Sequence, residues 1–147
     1  MVNKMANRAW FGFFIIVIIA WVSWYPFYLF KEEAVNASFI KAEQLIRQGQ
    51  AAYEANNLDD ALVYLELADN EYPNYYYPYL LTGDWLWGSG LQLDAIIAYN
   101  QALQYNYKLD VAYERIIEFY QSQGMEEQAS RYQIVYEDAI KSKQDVN

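Results

Sequence analysis

Two hydrophobic patterns divide the chain. Ala9 to Phe30, reading AWFGFFIIVIIAWVSWYPFYLF, form an apolar run of 22 residues with no charge. As a helix this run rises about 33 Å, enough to cross a hydrocarbon core of about 30 Å. A cleaved signal peptide is the alternative, with Val35-Asn36-Ala37 as a passable site. Its apolar region normally spans only about 7–15 residues, so the longer run predicts an uncleaved membrane anchor over 9–30. A short basic tail, 1–8, precedes it. Trp21, Trp24, Tyr25 and Tyr28 recur at i, i+3, i+4 and i+7 and share one helical face. They read as an interfacial aromatic belt or as a contact face for another membrane helix. Pro26 cannot donate to the carbonyl of Val22 and predicts a kink.

Beyond Lys31 the apolar positions fall into shorter segments. They predict helices over 33–55, 58–71, 76–88, 92–105, 109–122 and 126–142, the first beginning in a connecting helix at 31–41. Asn56-Asn57, Ser89-Gly90 and Gln123-Gly124 supply turn chemistry between them. Asp59, Asp60, Asp94, Glu126 and Glu127 then lie in first helical turns, where the helix dipole favours anions. As catalytic pairs, Asp59-Asp60 and Glu126-Glu127 are poor, because adjacent helical residues do not face each other.

Displacing the chain by 34 residues superposes Ala61, Ala95 and Ala129, Gly49 and Gly83, Asn56, Gly90 and Gly124, and Ala68 and Ala102. This register resembles the tetratricopeptide repeat (TPR), a helix–turn–helix unit of the same period. The resemblance covers a domain at 42–143, in repeats 42–75, 76–109 and 110–143, with a tail at 144–147. The first repeat carries Gly49, Asn56, Ala61, Ala68 and Pro73 at the family's positions, with Leu65 for its aromatic. The second carries Gly83, Gly90, Ala95, Tyr99 and Ala102, with Tyr107 where proline is expected. The third keeps Gly124 and Ala129. It departs at Ile117, Gln133 and Tyr136, as suits a terminal repeat whose outer face meets water. The implied fold class is all-α: one N-terminal transmembrane helix followed by an α-solenoid of about three repeats.

The resemblance also implies a partner-binding groove. Repeat one contributes Glu43, Ile46, Gln50 and Tyr53. Repeat two contributes Tyr77, Leu80, Asp84 and Trp87. Repeat three contributes Val111, Glu114 and Glu118, with Gln121 beside them. Tyr79, Gly83 and Leu86 are expected inside. Some family members clamp a peptide carboxylate with Lys, Arg and Asn; only Arg115 lies near such a position, so that clamp is not expected. Within EYPNYYYPYLLTGDWLWGSG, Glu71 to Gly90, Tyr75, Tyr76 and Trp85 are left for packing between repeats or for the surface.

Charge narrows the function classes. The chain carries a net charge of -9. From Lys31 onward there are 8 basic and 19 acidic residues. Nucleic acid is excluded as a partner, since phosphate binding needs a basic footprint. There is no cysteine and no histidine, so no thiolate site and no imidazole base exists. No catalytic, metal or cofactor residues are expected. The flanks of 9–30 nearly tie in charge, but Lys4 and Arg8 in a very short tail predict an N-terminus inside. The expectation is a single-pass protein of a bacterial inner membrane with its C-terminal domain outside the cytoplasm. Its partners would be the bilayer, through 9–30, and other protein subunits of a membrane complex bearing a basic or aromatic segment, for which the protein acts as accessory or assembly subunit. The alternative is a cell-envelope glycan binder or hydrolase, with aromatic platforms beside Asp84 and Glu118.

Overall fold

A computed structural model describes residues 31–144, with side chains described as far as 141. Every described element is a helix: α1 over 31–54, α2 Leu58–Glu71, α3 Tyr76–Gly88, α4 Gln92–Tyr105, α5 Asp110–Ser122 and α6 Glu126–Gln144. The chain divides into two compact units after Phe39. Of the first unit, residues 31–39 are described, as helix with mostly exposed side chains. The second, Ile40–Asn147, contains everything discussed below.

The membrane-anchored architecture is corrected here. Among the described residues no helix is long and apolar enough to cross a membrane. The expected span at 9–30, with its contact face of Trp21, Trp24, Tyr25 and Tyr28, lies outside the described residues. The single-pass assignment and the orientation built on it therefore have no support in the structure. The fold described is all-helical, without a membrane helix.

Within the second unit the turns repeat at atomic level. Asn56, Gly90 and Gly124 all take left-handed backbone angles, with φ of 60, 80 and 69°. Each begins the same hydrogen-bonded closure. Their amides bond to Tyr53, Trp87 and Gln121 carbonyls at 2.9, 3.0 and 3.0 Å. The following amides, of Asn57, Leu91 and Met125, reach back to Ala52, Leu86 and Tyr120 at 3.0, 2.9 and 2.8 Å. This 6→1 and 5→2 pair is a Schellman stop, which satisfies carbonyls that a helix end would leave orphaned. Asn57 then caps α2, its side chain accepting from the Asp60 amide. Acids occupy the first turns of α2, α4, α5 and α6. Helix bounds are thus set by local turn chemistry, and three helical hairpins result: α1–α2, α3–α4 and α5–α6.

Small residues allow the hairpins to close. Ala42, Ala61, Ala68, Ala95, Ala102 and Ala112 are wholly buried. One core cluster joins the first hairpin to the second: Ala42, Ile46, Ala61, Leu65 and Ala68 around Trp85. Another joins the second to the third: Leu86, Ala95, Ile96, Tyr99, Ala112, Ile116 and Phe119. A third, Tyr113, Ile117, Ala129 and Ala139, lies within α5–α6.

The same register explains where the apolar packing stops. The positions held by Leu62, Leu65 and Tyr53 in the first hairpin are held by Ile96, Tyr99 and Trp87 in the second. In the third they are Ser130, Gln133 and Gln121, all exposed. At the other end, Pro78, Thr82 and Trp85 pack inward from the second hairpin, and their counterparts Gln44, Gln48 and Ala51 in the first are exposed. These end positions are therefore polar or small, although Ile134, at the register position of Asn100, stays 60% exposed on α6.

The tightest approach is at Gly83. A Cβ there would stand 2.6 Å from two ring carbons of Tyr99. Tyr99 is 0% exposed and cannot swing away. We predict that Gly83→Ala destabilises the domain by about 1–2 kcal/mol, overpacking outweighing the helix-propensity gain of about 1 kcal/mol. Chemical denaturation of the two proteins measures this. Equal or greater stability of the variant would show that the α3–α4 contact is slack.

Candidate protein-interaction face

The expected groove residues lie on α1, α3 and α5, but the structure divides them into two groups. Those on α1 and α3 largely pack between hairpins. Ile46 is buried in the first inter-hairpin core at 6% exposure, which corrects its assignment to a groove lining. Tyr53 stacks on Trp85, centroids 5.0 Å apart and planes 9° from parallel. Trp85, without a groove role in the repeat pattern, is thus the buried wedge of this interface. Leu80 packs on the second core. Glu43 accepts a hydrogen bond from the Tyr75 hydroxyl at 2.8 Å. Tyr77 packs half-buried against the first core, within a cluster that includes Tyr75 and Tyr76. Gln50 bonds to Glu54 on its own helix at 2.9 Å. Of the residues expected inside, Gly83 and Leu86 are buried. Tyr79 is only half-buried, stacked on Tyr105 with its hydroxyl on Asp69 at 2.7 Å.

The α5 residues are different. Val111, Glu114 and Glu118 are exposed, spaced i, i+3 and i+7 on one helical face. Glu114 occupies the position that Ile46 and Leu80 hold in the earlier hairpins, but no described helix covers it. Like charges at i and i+4 cost a few tenths of a kcal/mol, so stability alone does not favour the Glu114–Glu118 pair.

A polar cluster connects this face to the core. The Tyr99 hydroxyl donates to Asp84 at 2.8 Å. Trp87 lies against the Tyr99 ring, centroids 6.4 Å apart. The Arg115 guanidinium stands 5.3 Å from the Trp87 ring centroid, a cation–π contact worth about 0.5–1 kcal/mol at such a site. Arg115 also donates to Glu118 at 2.9 Å. That bond, opposed by desolvation and aided by the charges of Glu118, Tyr99 and Asp84, pushes the Arg115 pKa up. Arg115 is therefore engaged within the face. So are Asp84 and Glu118, the two carboxylates that the carbohydrate reading would employ. No buried side-chain polar atom among the described residues lacks a partner. No group of His, Cys, Asp and Glu suited to a metal ion occurs among the described residues.

Sequence reasoning did not find the roles of Trp85 and Arg115. Trp85 carries a signal in the register, since its counterpart Phe119 is also apolar. For Arg115, a lone cation four residues from Val111 on an acidic face was the available hint. No protein-family model matches the chain, and no curated protein matches its sequence.

Burial raises the pKa of Tyr99 far above the ordinary tyrosine value, and the hydrogen bond to Asp84 and that carboxylate's charge add to the rise, while Arg115 opposes it. Tyr75 and Tyr79 are shifted up by burial and by Glu43 and Asp69 in the same way. A phenol held protonated in the fold ionises more readily once unfolded. Its contribution is complete below the unfolded value of about 10 and is lost as pH rises towards the folded value. We predict that stability falls from about pH 10 upward, and that Tyr99→Phe, although less stable at neutral pH, loses less on alkalinisation. Thermal unfolding as a function of pH measures the slopes. Identical slopes for the two proteins would mean that Tyr99 titrates freely in the folded state.

Proposed function

We propose that the protein is a protein–protein interaction module of the TPR type, holding a basic segment of a partner protein on the exposed face of α5 beside Trp87. The observation that carries this reading is the α5 surface. Val111, Glu114 and Glu118 lie exposed on one side of α5, whose Arg115 contacts Trp87, and Glu114 stands at the repeat position that Ile46 and Leu80 use for internal packing. The face's central cation, Arg115, is already bonded to Glu118, and Glu114 has no ion-pair partner among the described residues. A lysine or arginine of a partner would relieve the repulsion between the two glutamates, while an apolar neighbour rests on Val111 and the Trp87 edge. The TPR assignment rests on the 34-residue register and on the three equivalent turn closures. Helical repeats of this kind work by offering an extended face to a partner.

Such complementarity governs encounter rate and partner choice more than raw affinity. Placing a photo-crosslinking residue at Val111 in the full chain and identifying the captured segment tests the site. The reading expects a segment rich in Lys or Arg, captured less at high salt and not captured by Glu114→Lys/Glu118→Lys. With the captured segment as a synthetic peptide, the reversed variant should associate about tenfold more slowly, with a flatter salt dependence. Capture of an acidic segment, or rates unchanged by the reversal, would contradict the proposal.

A further inference from the structure

The opposite face, formed by α2, α4 and α6, carries apolar surface that the fold does not use. On α4, Leu93 is 70% and Ile97 60% exposed, four residues apart on the side away from Ala95, Tyr99 and Ala102. On α2, Val63 and Leu67 hold the corresponding outer side, away from Ala61, Leu65 and Ala68, and Val63 is 53% exposed. The two helices are held near each other by Tyr79, which bonds Asp69 on α2 and stacks on Tyr105 on α4. Between α4 and α6 runs an open groove of about 450 Å³, with Leu103, Tyr113 and Tyr132 among its walls and exposed Val135 at its rim. Tyr132 is fixed there by its hydrogen bond to Asn100 at 2.7 Å. Exposed aliphatic residues of α2 and α4 thus accompany an open groove whose apolar walls, Leu103, Tyr113 and Tyr132, are joined by Asn100, Gln104 and Arg131.

Charge on α2 and α4 is of one sign. Neither α2 nor α4 contains a Lys or Arg. Asp59, Glu66 and Asp94 are exposed and make no ion pair among the described residues. Arg131, at the groove's edge, is paired with Glu127. An anionic lipid surface or a nucleic acid would be repelled by this rim. A second copy of the chain would bring the same acids against themselves. What fits is an apolar stripe flanked by cations.

We propose that the α2–α4–α6 face is a second docking surface, and that its occupant is an amphipathic segment of another protein, with aliphatic residues on one side and Lys or Arg along its flanks. The aliphatic side covers Leu93, Ile97 and Val63 and inserts one side chain into the groove beside Tyr132. The flanking cations meet Asp59, Glu66 and Asp94. This surface is separate from the α5 face and does not depend on it.

The test uses the full chain and a model peptide of about 18 residues, long enough for five helical turns, with leucines on one face and lysines on its flanks. Methyl and amide NMR shifts locate the peptide, and fluorescence anisotropy gives its affinity. The proposal expects shifts centred on Val63, Leu93, Ile97 and Tyr132. It also expects binding about tenfold weaker for Leu93→Ser/Ile97→Ser, whose sites are solvent-exposed and leave the core intact. The same peptide with glutamate in place of lysine should not bind. Absence of binding, shifts confined to α5, or an affinity unchanged by Leu93→Ser/Ile97→Ser would overturn the inference. If Glu114→Lys/Glu118→Lys alone weakens the peptide, the second surface fails while the α5 face stands. A concentration-dependent dimer lost in Leu93→Ser/Ile97→Ser would assign the face to a second copy and likewise overturn it.

Discussion

Tyr99 packed on Gly83 is the contact on which the rest of the domain depends. The ring fills the space a side chain at Gly83 would occupy, so α3 and α4 approach closely enough to exclude water. The hydroxyl, buried by that approach, donates to Asp84 and so avoids the cost of an unpaired buried group. Asp84 is thereby held beside Trp87, Trp87 carries Arg115, and Arg115 holds Glu118. One close approach in the middle hairpin thus orders a chain of side chains reaching the exposed surface of α5. Tyr53 stacked on Trp85 performs the corresponding task between the first and second hairpins, with Gly49 leaving room for the Trp85 ring.

The ends of the stack differ from its middle. Gln44 and Gln48 at one end, and Gln121, Ser130 and Gln133 at the other, replace residues that are apolar or half-buried inside. Exposed apolar side chains also lie along the hairpins, Val111 on α5 and Leu93 and Ile97 on α4. Acids accompany both. Both would suit cationic segments under the proposals above, and the α4 side adds an open groove.

Much of this was legible in the sequence because turn closure is local chemistry. The left-handed angles at Asn56, Gly90 and Gly124 require residues that tolerate them, and those residues stand 34 apart. Helices α2, α3 and α4 consequently begin and end where the pattern placed them. What was not legible is whether an outward-pointing position meets solvent or the next hairpin. Ile46, Leu80 and Glu114 are equivalent by spacing, yet Ile46 is core and Glu114 is exposed, since only a covering helix makes the difference. The membrane architecture failed for another reason. Its residues, 9–30, lie outside those described, and no described helix is both long and apolar enough to span a membrane. The aromatic excess at Glu71 to Gly90 was divided by hydroxyl pairing: Tyr75 and Tyr79 each bond a carboxylate on a preceding helix, so much of that excess serves the fold.

Stacked repeats gain stability at each interface, and a middle unit has two interfaces where an end unit has one. Native-state hydrogen exchange on the full chain, followed through increasing denaturant, tests this most directly. The account predicts that amides of α3 and α4, around Gly83 and from Ala95 to Ala102, exchange only through global unfolding, and that those of α6 open at lower free energy. If α6 proves as protected as α4, or if α3 and α4 open first, the middle hairpin is not the element that holds the domain together, and the chain of contacts from Tyr99 to Glu118 cannot be what orders the α5 face.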